Sequence, residues 1–185
     1  MEKLNLTYDE KLIKKKLLPC NSTARVSLKD AFFTSSAILF SILPFDDKPY
    51  ELVLIHRTNR GSRHRGEISF PGGKFELGDG DLKNTALRET EEEIGVPRLK
   101  IEVLGCLHDF PTMTKYIIKP FVGRIPPNQK LIKEEREVQE ILRVPIDFFV
   151  GKRNFKEQAF KINKGKFPVF YFNYKNPANK KIYTI

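Results

Sequence analysis

The chain has 185 residues, of which 40% are hydrophobic and 30% are charged, and its formal net charge is +10. This length and composition fit one soluble globular domain with a sizeable core. No apolar run approaches the ~20 residues that a membrane-spanning helix needs. The N-terminus mixes acids into its charged stretch and lacks an apolar segment, so we also expect no secretory signal.

Much of the positive excess lies in scattered lysines, including 14–16 and 180–181, without interleaved aromatic residues. None of the common nucleic-acid-binding motifs is present. A positive field can steer small anionic substrates, although solubility alone explains most of such an excess. We therefore expect a small-molecule partner, no nucleic acid and no membrane, and we leave a homodimer open.

The two cysteines, Cys20 and Cys106, have neither a metal-binding nor a redox spacing. They therefore predict two structural thiols. A reduced protein of this kind is typical of the cytoplasm, which is the expected location.

The N-terminal part of the chain predicts one short helix and a strand hairpin. Residues 8–18 have apolar side chains near helical spacing and end before Pro19, which predicts an amphipathic helix packed on the domain. Residues 31–43 predict a buried strand, and turn residues 46–49 lead to residues 50–57 as its hairpin partner.

A basic loop follows this hairpin and leads into a glycine-rich turn. Its candidate substrate-binding residues are Arg57, Arg60, Arg63, His64, Arg65, Gly72 and Gly73. Guanidinium groups pair bidentately with phosphate, so the loop suits a multiply phosphorylated ligand. The alternative is an ordinary solvated polar loop.

A helix rich in glutamate follows the turn. Asp79 or Asp81 can cap its start, and Gly95 stands where a left-handed residue usually ends a helix. The apolar and small side chains of the helix form one face that can pack on a sheet. The adjoining face carries three carboxylates, because they are three or four residues apart: Glu89, Glu92 and Glu93.

These carboxylates repel one another and lie near the negative end of the helix dipole, so they are locally unfavourable. Such a conflict with local preference indicates a functional site. Hard divalent cations such as Mg²⁺ bind carboxylate oxygens and keep waters for a phosphate partner. The alternative is a solvated charged face.

The rest of the chain predicts mainly strands. These are residues 99–107, 116–125, 137–144, the hairpin of 158–162 and 168–174, and 181–185, with a short helix at 145–150. Pro120 lies within one of these runs and is expected at a sheet edge or a bulge.

The glutamate helix resembles the second half of the Nudix box, R-E-U-x-E-E-x-G-U, where U is apolar. Residues 88–96 read RETEEEIGV. The first half of the box is irregular, because counting back from Arg88 places Gly80 where the box has a glutamate. The chain has one extra residue before the helix, and Asp79 or Asp81 stands in for the missing acid.

This resemblance implies the Nudix fold, an α/β/α sandwich with a mixed β-sheet, the glutamate helix on one face and other helices opposite. It also implies a single domain over residues 1–185, in which residues 1–30 form an N-terminal extension. The expected activity is hydrolysis of a pyrophosphate bond with Mg²⁺ or Mn²⁺ as the cofactor. The implied metal ligands are Glu89, Glu92, Glu93 and the backbone carbonyl of Gly72.

The resemblance further implies a set of catalytic residues: Arg88, Glu89, Glu92 and Glu137. Arg88 would orient Glu89 by a charge-assisted hydrogen bond, with an ordinary surface ion pair as the alternative. The general base stays open between a glutamate of the box and a loop acid, either Glu134 or Glu137.

The basic loop and turn are similar to the coenzyme A pyrophosphatase branch of this family. His64, Gly66 and the FPGG run at 70–73 match its signature, and KPFVG at 119–123 is also similar. Ser62 departs from the arginine usual in that branch, and Arg60 or Arg63 can take its place.

This second resemblance implies that coenzyme A or acyl-coenzyme A is hydrolysed to 3′,5′-ADP and 4′-phosphopantetheine or its acyl form. Within the family, the alternative substrates are ADP-ribose, dinucleoside polyphosphates or modified nucleoside triphosphates. A non-catalytic nucleotide-binding module is the alternative of a different class.

Overall fold

The computed structural model describes residues 6–59, 66–151, 153–162 and 165–185. Its helices are α1 (Glu10–Lys16), α2 (Leu82–Ile94) and α3 (Ile146–Val150). Its strands are β1 (Thr34–Leu43), β2 (Glu51–Arg57), β3 (Ile68–Ser69), β4 (Gly72–Lys74), β5 (Glu102–Cys106), β6 (Phe110–Pro111), β7 (Tyr116–Arg124), β8 (Val138–Pro145), β9 (Phe155–Ile162), β10 (Gly165–Lys175) and β11 (Ile182–Thr184). Among the helices of these ranges, none is long and apolar enough to span a membrane.

The main sheet is mixed and has the long strands in the order β8-β2-β1-β7-β5. β1 pairs parallel with β7 along its length, whereas β2 pairs antiparallel with β1 and β8. β1 and β2 pair with each other only at 41–43 and 51–53. Where they diverge, β4 pairs with the first half of β1 and β3 pairs with the second half of β2. The segment that contains the glycine-rich turn is therefore inserted between β1 and β2.

Each face of the sheet has its own core. On one face, α2 contributes Ala86, Leu87 and Ile94 to a cluster with Leu39 and Val53. Because side chains alternate along a strand, the residues next to these strand residues in the sequence face the other side of the sheet.

The second core lies on that other face and includes Leu54, Leu142 and Val144. Side chains of α1, of α3 and of β10 and β11 pack against it. The layer opposite α2 thus consists of two short helices and the three-stranded sheet β9-β10-β11. The family resemblance implies only helices there, whereas the strands agree with those predicted at 158–162, 168–174 and 181–185.

The two cysteines are joined by a disulfide, so the prediction of two free structural thiols is wrong. Leu18 forms a β-bridge with Cys106 in β5, and this contact places Cys20 beside the same strand. The sequence separation of 86 residues gives no local sign of such proximity. The predicted cytoplasmic location remains a prediction.

Pro120 lies in β7, an interior strand, and not at the expected sheet edge. On the β5 side it falls where β5 has ended at Cys106 and β6 has not yet begun at Phe110. Its carbonyl there accepts a hydrogen bond of 3.0 Å from the backbone N–H of Leu107. Proline has no backbone N–H to donate, and at this position the pairing of β7 with β5 and β6 is interrupted, so no donor is needed.

Candidate active site

The glycine-rich turn lies directly beneath α2. Gly72 has a φ of 154°, and a Cβ at this position would collide with the backbone of β1 at Ala37 and Ile38. A Cβ on Gly73 would instead collide with the carboxylate of Glu89. The two glycines therefore allow the turn to approach both the sheet and the glutamate helix.

The ends of α2 are set by local chemistry. The side chain of Asp81 accepts a 2.8 Å hydrogen bond from the backbone N–H of Asn84, and Gly95 ends the helix with a φ of 69°. Thr90, a weak match to the apolar position of the box, is buried, and its hydroxyl donates to the carbonyl of Ala86. Its hydroxyl is thus satisfied within the helix, so threonine fits the buried face.

Glu93 is the most buried of the three box carboxylates, with only 2% of its side chain exposed. One oxygen accepts a 2.9 Å hydrogen bond from the backbone N–H of Gly72. The other accepts a 2.9 Å hydrogen bond from Arg57 at the end of β2. Burial raises the pKa of Glu93 to about 8, although the hydrogen bond from Gly72 and the positive charge of Arg57 act in the opposite direction. The site therefore favours a further positive charge near this acid.

Glu89 and Glu92 both lie beside Arg88. Glu89 is largely buried over Gly73, and its Oε1 lies 3.0 Å from Nη1 of Arg88. Burial raises the pKa of Glu89, and the arginine opposes that shift. Glu92 is more exposed, at 54%, and accepts a 2.9 Å hydrogen bond from the same Nη1 atom.

Asp79 replaces the glutamate that is missing from the first half of the box. Arg88 donates to both of its carboxylate oxygens, at 2.7 and 3.2 Å. The buried carboxylate also accepts hydrogen bonds from the hydroxyl of Thr85 and the backbone N–H of Glu76. The guanidinium of Arg88 is the main reason that the pKa of Asp79 lies well below its usual range. Of the two aspartates that the sequence leaves open, Asp79 therefore holds Arg88 and Asp81 caps the helix.

A loop before β8 is attached to the C-terminal end of α2. The backbone N–H groups of Ile132 and Glu134 donate to the carbonyls of Ile94 and Glu93, at 2.9 and 3.1 Å. A side chain on Gly95 would collide with Ile132. This contact satisfies helix carbonyls that would otherwise lack partners.

The same loop brings one acid to the site and uses another within the loop itself. The carboxylate of Glu134 accepts 2.9 Å hydrogen bonds from the backbone N–H groups of Arg136 and Glu137. Glu137 is 58% exposed, and its carboxylate lies 3.7 Å from Arg57. Arg57 thus stands between the carboxylates of Glu93 and Glu137.

The structure brings together most of the predicted site residues: Arg57, Gly72, Gly73, Arg88, Glu89, Glu92, Glu93 and Glu137. Arg60, Arg63, His64 and Arg65 lie outside the residues that the structure describes, so their role in binding substrate stays a prediction. The catalytic and metal-binding roles of the other residues also stay predictions.

Within the described ranges, no three histidine, cysteine or acidic side chains are arranged to hold a metal ion. Arg88 contacts one carboxylate oxygen each of Glu89 and Glu92, and Arg57 contacts one of Glu93. The contact of Ile132 and Glu134 with the helix end is not predictable from the sequence, because it is made by backbone groups that every residue has.

The chain is similar to known proteins of one family. A model described as "NUDIX domain" matches residues 35–162. An uncharacterized Nudix hydrolase NudL from Photorhabdus laumondii is 38% identical over 106 residues, which are 57% of this chain and 57% of that protein. The mitochondrial Nudix hydrolase 15 of Arabidopsis thaliana is 31% identical over 144 residues, 76% of this chain and 50% of that protein. The chain thus spans about half the length of these relatives.

Two solved structures share the fold. A Nudix hydrolase from M. smegmatis, RenU, aligns with a TM-score of 0.53 and 17% identity over 63% of this chain and 73% of that one. A binary complex of the C. elegans Ap4A hydrolase aligns with a TM-score of 0.52 and 17% identity over 63% and 83%. At this identity the likeness confirms the α/β sandwich with a mixed sheet, and nothing beyond the fold.

Proposed function

The chain belongs to the Nudix domain family, and on this basis we propose that it is a divalent-metal-dependent hydrolase of nucleoside diphosphate derivatives. The observation that carries the proposal is the position of Glu93. It is a buried carboxylate against the N–H of Gly72, on the same helix face as Glu89 and Glu92. A chain that only bound nucleotides would have no use for three crowded acids at that position.

The donor set fits a hard divalent cation. Glu89, Glu92, Glu93 and the carbonyl of Gly72 are oxygen ligands of the kind that Mg²⁺ and Mn²⁺ prefer. Burial raises the pKa values of Glu89 and Glu93, and a bound cation would lower them. When bound, such an ion would polarise phosphate oxygens and lower the pKa of a bound water.

The residues around these ligands have roles of their own. Arg88, held by Asp79, fixes the carboxylate of Glu89 above Gly73. Arg57 pairs with Glu93, so a divalent ion held by Glu93 would compete with this arginine. The described contact of Arg57 is thus an ion pair with the box, and phosphate binding by Arg57 stays a prediction.

Glu137 is the better candidate for the general base. Its carboxylate is exposed and reaches Arg57 beside Glu93, whereas the carboxylate of Glu134 is already bound to two backbone N–H groups. A base must accept a proton from water, and a free carboxylate can do so at lower cost.

For the substrate, we favour coenzyme A or acyl-coenzyme A, with 3′,5′-ADP and (acyl-)4′-phosphopantetheine as products. The support is the similarity of residues 63–73 and 119–123 to the coenzyme A pyrophosphatase branch. ADP-ribose, dinucleoside polyphosphates and modified nucleoside triphosphates are the alternatives, and the C. elegans neighbour is itself named an Ap4A hydrolase.

The test is incubation of the protein with Mg²⁺ or Mn²⁺ and a panel of these compounds, followed by mass spectrometry of the products. Release of 3′,5′-ADP from coenzyme A, at a higher kcat/KM than for the other compounds, is the expected result. Turnover of ADP-ribose with coenzyme A untouched would overturn the favoured substrate. Binding of nucleotides without turnover of any compound would overturn the proposal that the chain is an enzyme.

A further inference from the structure

The positive charge of the chain is concentrated near its C-terminus. Residues 151–185 hold nine of the 33 lysines and arginines but one of the 23 acids, Glu157, and so account for +8 of the net charge of +10. The nine cations are Lys152, Arg153, Lys156, Lys161, Lys164, Lys166, Lys175, Lys180 and Lys181. The match to the family model ends at residue 162, so β10 and β11 lie beyond it. The proposed hydrolase function does not account for this basic segment.

The sheet β9-β10-β11 packs on the domain through one face. Tyr174 and Tyr183 are buried in the core opposite α2, and the ring of Phe172 contacts those of Phe148 and Phe149 in α3. This basic sheet is therefore on the other side of the main sheet from the glutamate helix. Any ligand of its outer face would be separate from the candidate active site.

The outer face carries the alternate residues of the same strands. Tyr171 in β10 lies opposite Lys156 in β9, and Lys175 lies opposite Ile182 in β11. The cations that the structure describes in this segment are exposed: Arg153, Lys156, Lys175, Lys180 and Lys181. None of these five forms an ion pair with a carboxylate in the described part of the chain.

Part of this face forms a hollow of about 400 Å³, lined by Lys156, Glu157, Gln158, Tyr171, Asn173 and Thr184. It combines a cation, a carboxylate, an aromatic ring, two side-chain amides and a hydroxyl. Lysine neutralises phosphates, tyrosine stacks on bases, and amides hydrogen-bond base edges. The outer face therefore has the groups that single-stranded nucleic acid requires.

We propose that the outer face of β9-β10-β11 binds single-stranded nucleic acid. An anionic membrane is the competing partner for a basic surface. However, the amides and hydroxyl of the hollow favour a hydrogen-bonding polymer over a lipid surface. This proposal departs from the expectation of no nucleic-acid partner, which considers the lysine runs at 14–16 and 180–181. On the outer face, Lys156 lies opposite Tyr171 of the neighbouring strand.

The test measures fluorescence anisotropy of a labelled 12-nucleotide single strand of mixed sequence, as RNA and as DNA, between 50 and 200 mM salt. The whole chain should bind with an affinity that falls steeply as salt rises. Lys156→Gln with Lys175→Gln should reduce the slope of log K against log salt by about 1.4, because each single-strand phosphate contact contributes about 0.7. Tyr171→Ala should weaken binding about tenfold with the slope unchanged.

The matched control is Lys15→Gln with Lys16→Gln on α1, which removes the same charge from exposed positions on a different element. Retained binding in this control, with loss in the outer-face variants, supports the proposal. Equal loss in both pairs would show a general effect of net charge and would overturn it. Absence of oligonucleotide binding, or binding to phosphatidylserine vesicles instead, would also overturn it. Circular dichroism and thermal unfolding of each variant exclude misfolding as the cause.

Discussion

Arg57 donates a 2.9 Å hydrogen bond to the buried carboxylate of Glu93, so an arginine of β2 neutralises the most buried acid of the box. The same guanidinium reaches Glu137 at 3.7 Å. A divalent ion held by Glu93, as proposed, would therefore compete with this arginine for one carboxylate. Competition of this kind affects both metal affinity and the identity of the ligands.

Arg57→Gln should raise the affinity for Mn²⁺ by roughly five- to tenfold in the absence of substrate, because a competing cation is removed. Electron paramagnetic resonance of free Mn²⁺ measures this without reference to activity. Arg143→Gln is the control, since Arg143 pairs with Glu51 elsewhere on β2 and β8. Weaker Mn²⁺ binding in the Arg57 variant alone would mean that the arginine positions Glu93 for the metal.

Glu93→Gln should abolish metal-dependent hydrolysis, by a factor of about 1000 or more, while the fold is retained. The amide keeps the shape of the side chain but loses the charge that a metal ligand needs. Glu91→Gln is the control on the same helix, because Glu91 pairs with Arg98 and not with the site. Steady-state kinetics with Mg²⁺, with circular dichroism alongside, measures both effects. Near-normal activity of the Glu93 variant would refute the assignment of this ligand.

Asp79→Asn should destabilise the protein by about 3 kcal/mol at neutral pH, because it leaves Arg88 partly buried without its main partner. The pKa of Asp79 is lower in the folded chain than its ordinary value of 3.8. Its contribution is therefore complete above that value and is lost as the pH falls towards the lowered pKa. Urea unfolding should show a constant difference from wild type above pH 5 and a shrinking one below pH 4, as an order-of-magnitude window.

Asp81→Asn is the control for that experiment, because asparagine caps a helix about as well as aspartate does. It should change the free energy of unfolding by roughly 0.5 kcal/mol or less. A comparable loss in both variants would show that Asp79 acts through the helix start and not through Arg88.

Gly73→Ala should lower metal-dependent activity by about tenfold or more, because the added methyl group would displace the carboxylate of Glu89. Gly78→Ala is the control, since a Cβ there meets no atom within 4 Å. Kinetics and Mn²⁺ titration of both variants distinguish a displaced ligand from a general effect of glycine replacement. Full activity of the Gly73 variant would show that Glu89 is free to move.

Glu137→Gln should lower kcat by about 100-fold with little change in stability, as expected for a general base with an exposed side chain. Glu134→Gln should do the reverse and reduce the free energy of unfolding by about 1 kcal/mol, because its carboxylate holds two backbone N–H groups. Single-turnover kinetics and urea unfolding of both variants provide the comparison. The opposite pattern would assign the base to Glu134.

The glutamate helix is predictable from the sequence because its signals are local. Asp81 and Gly95 cap it, and the carboxylates follow from spacing alone. The strand hairpin of β1 and β2 is predictable for the same reason, since apolar runs flank a turn. In both features, the residues that give the signal are close to one another in the sequence.

The remaining features depend on contacts between distant segments. The sequence leaves Asp79 and Asp81 as equal alternatives, because only the folded turn places Asp79 against Arg88. The pairing of Arg57 with Glu93 joins residues 36 positions apart. The strands of the C-terminal sheet are predicted at 158–162, 168–174 and 181–185, but their position as a layer opposite α2 depends on long-range packing on the main sheet.

The disulfide between Cys20 and Cys106 has a consequence for aggregation. β5 ends the path of the main sheet, and an uncovered edge strand offers unpaired N–H and C=O groups to strands of other molecules. Leu18 pairs with Cys106 on this edge, and the disulfide fixes that segment there covalently. The N-terminal segment thus shields the edge from intermolecular pairing, and reduction leaves this protection to non-covalent contacts alone.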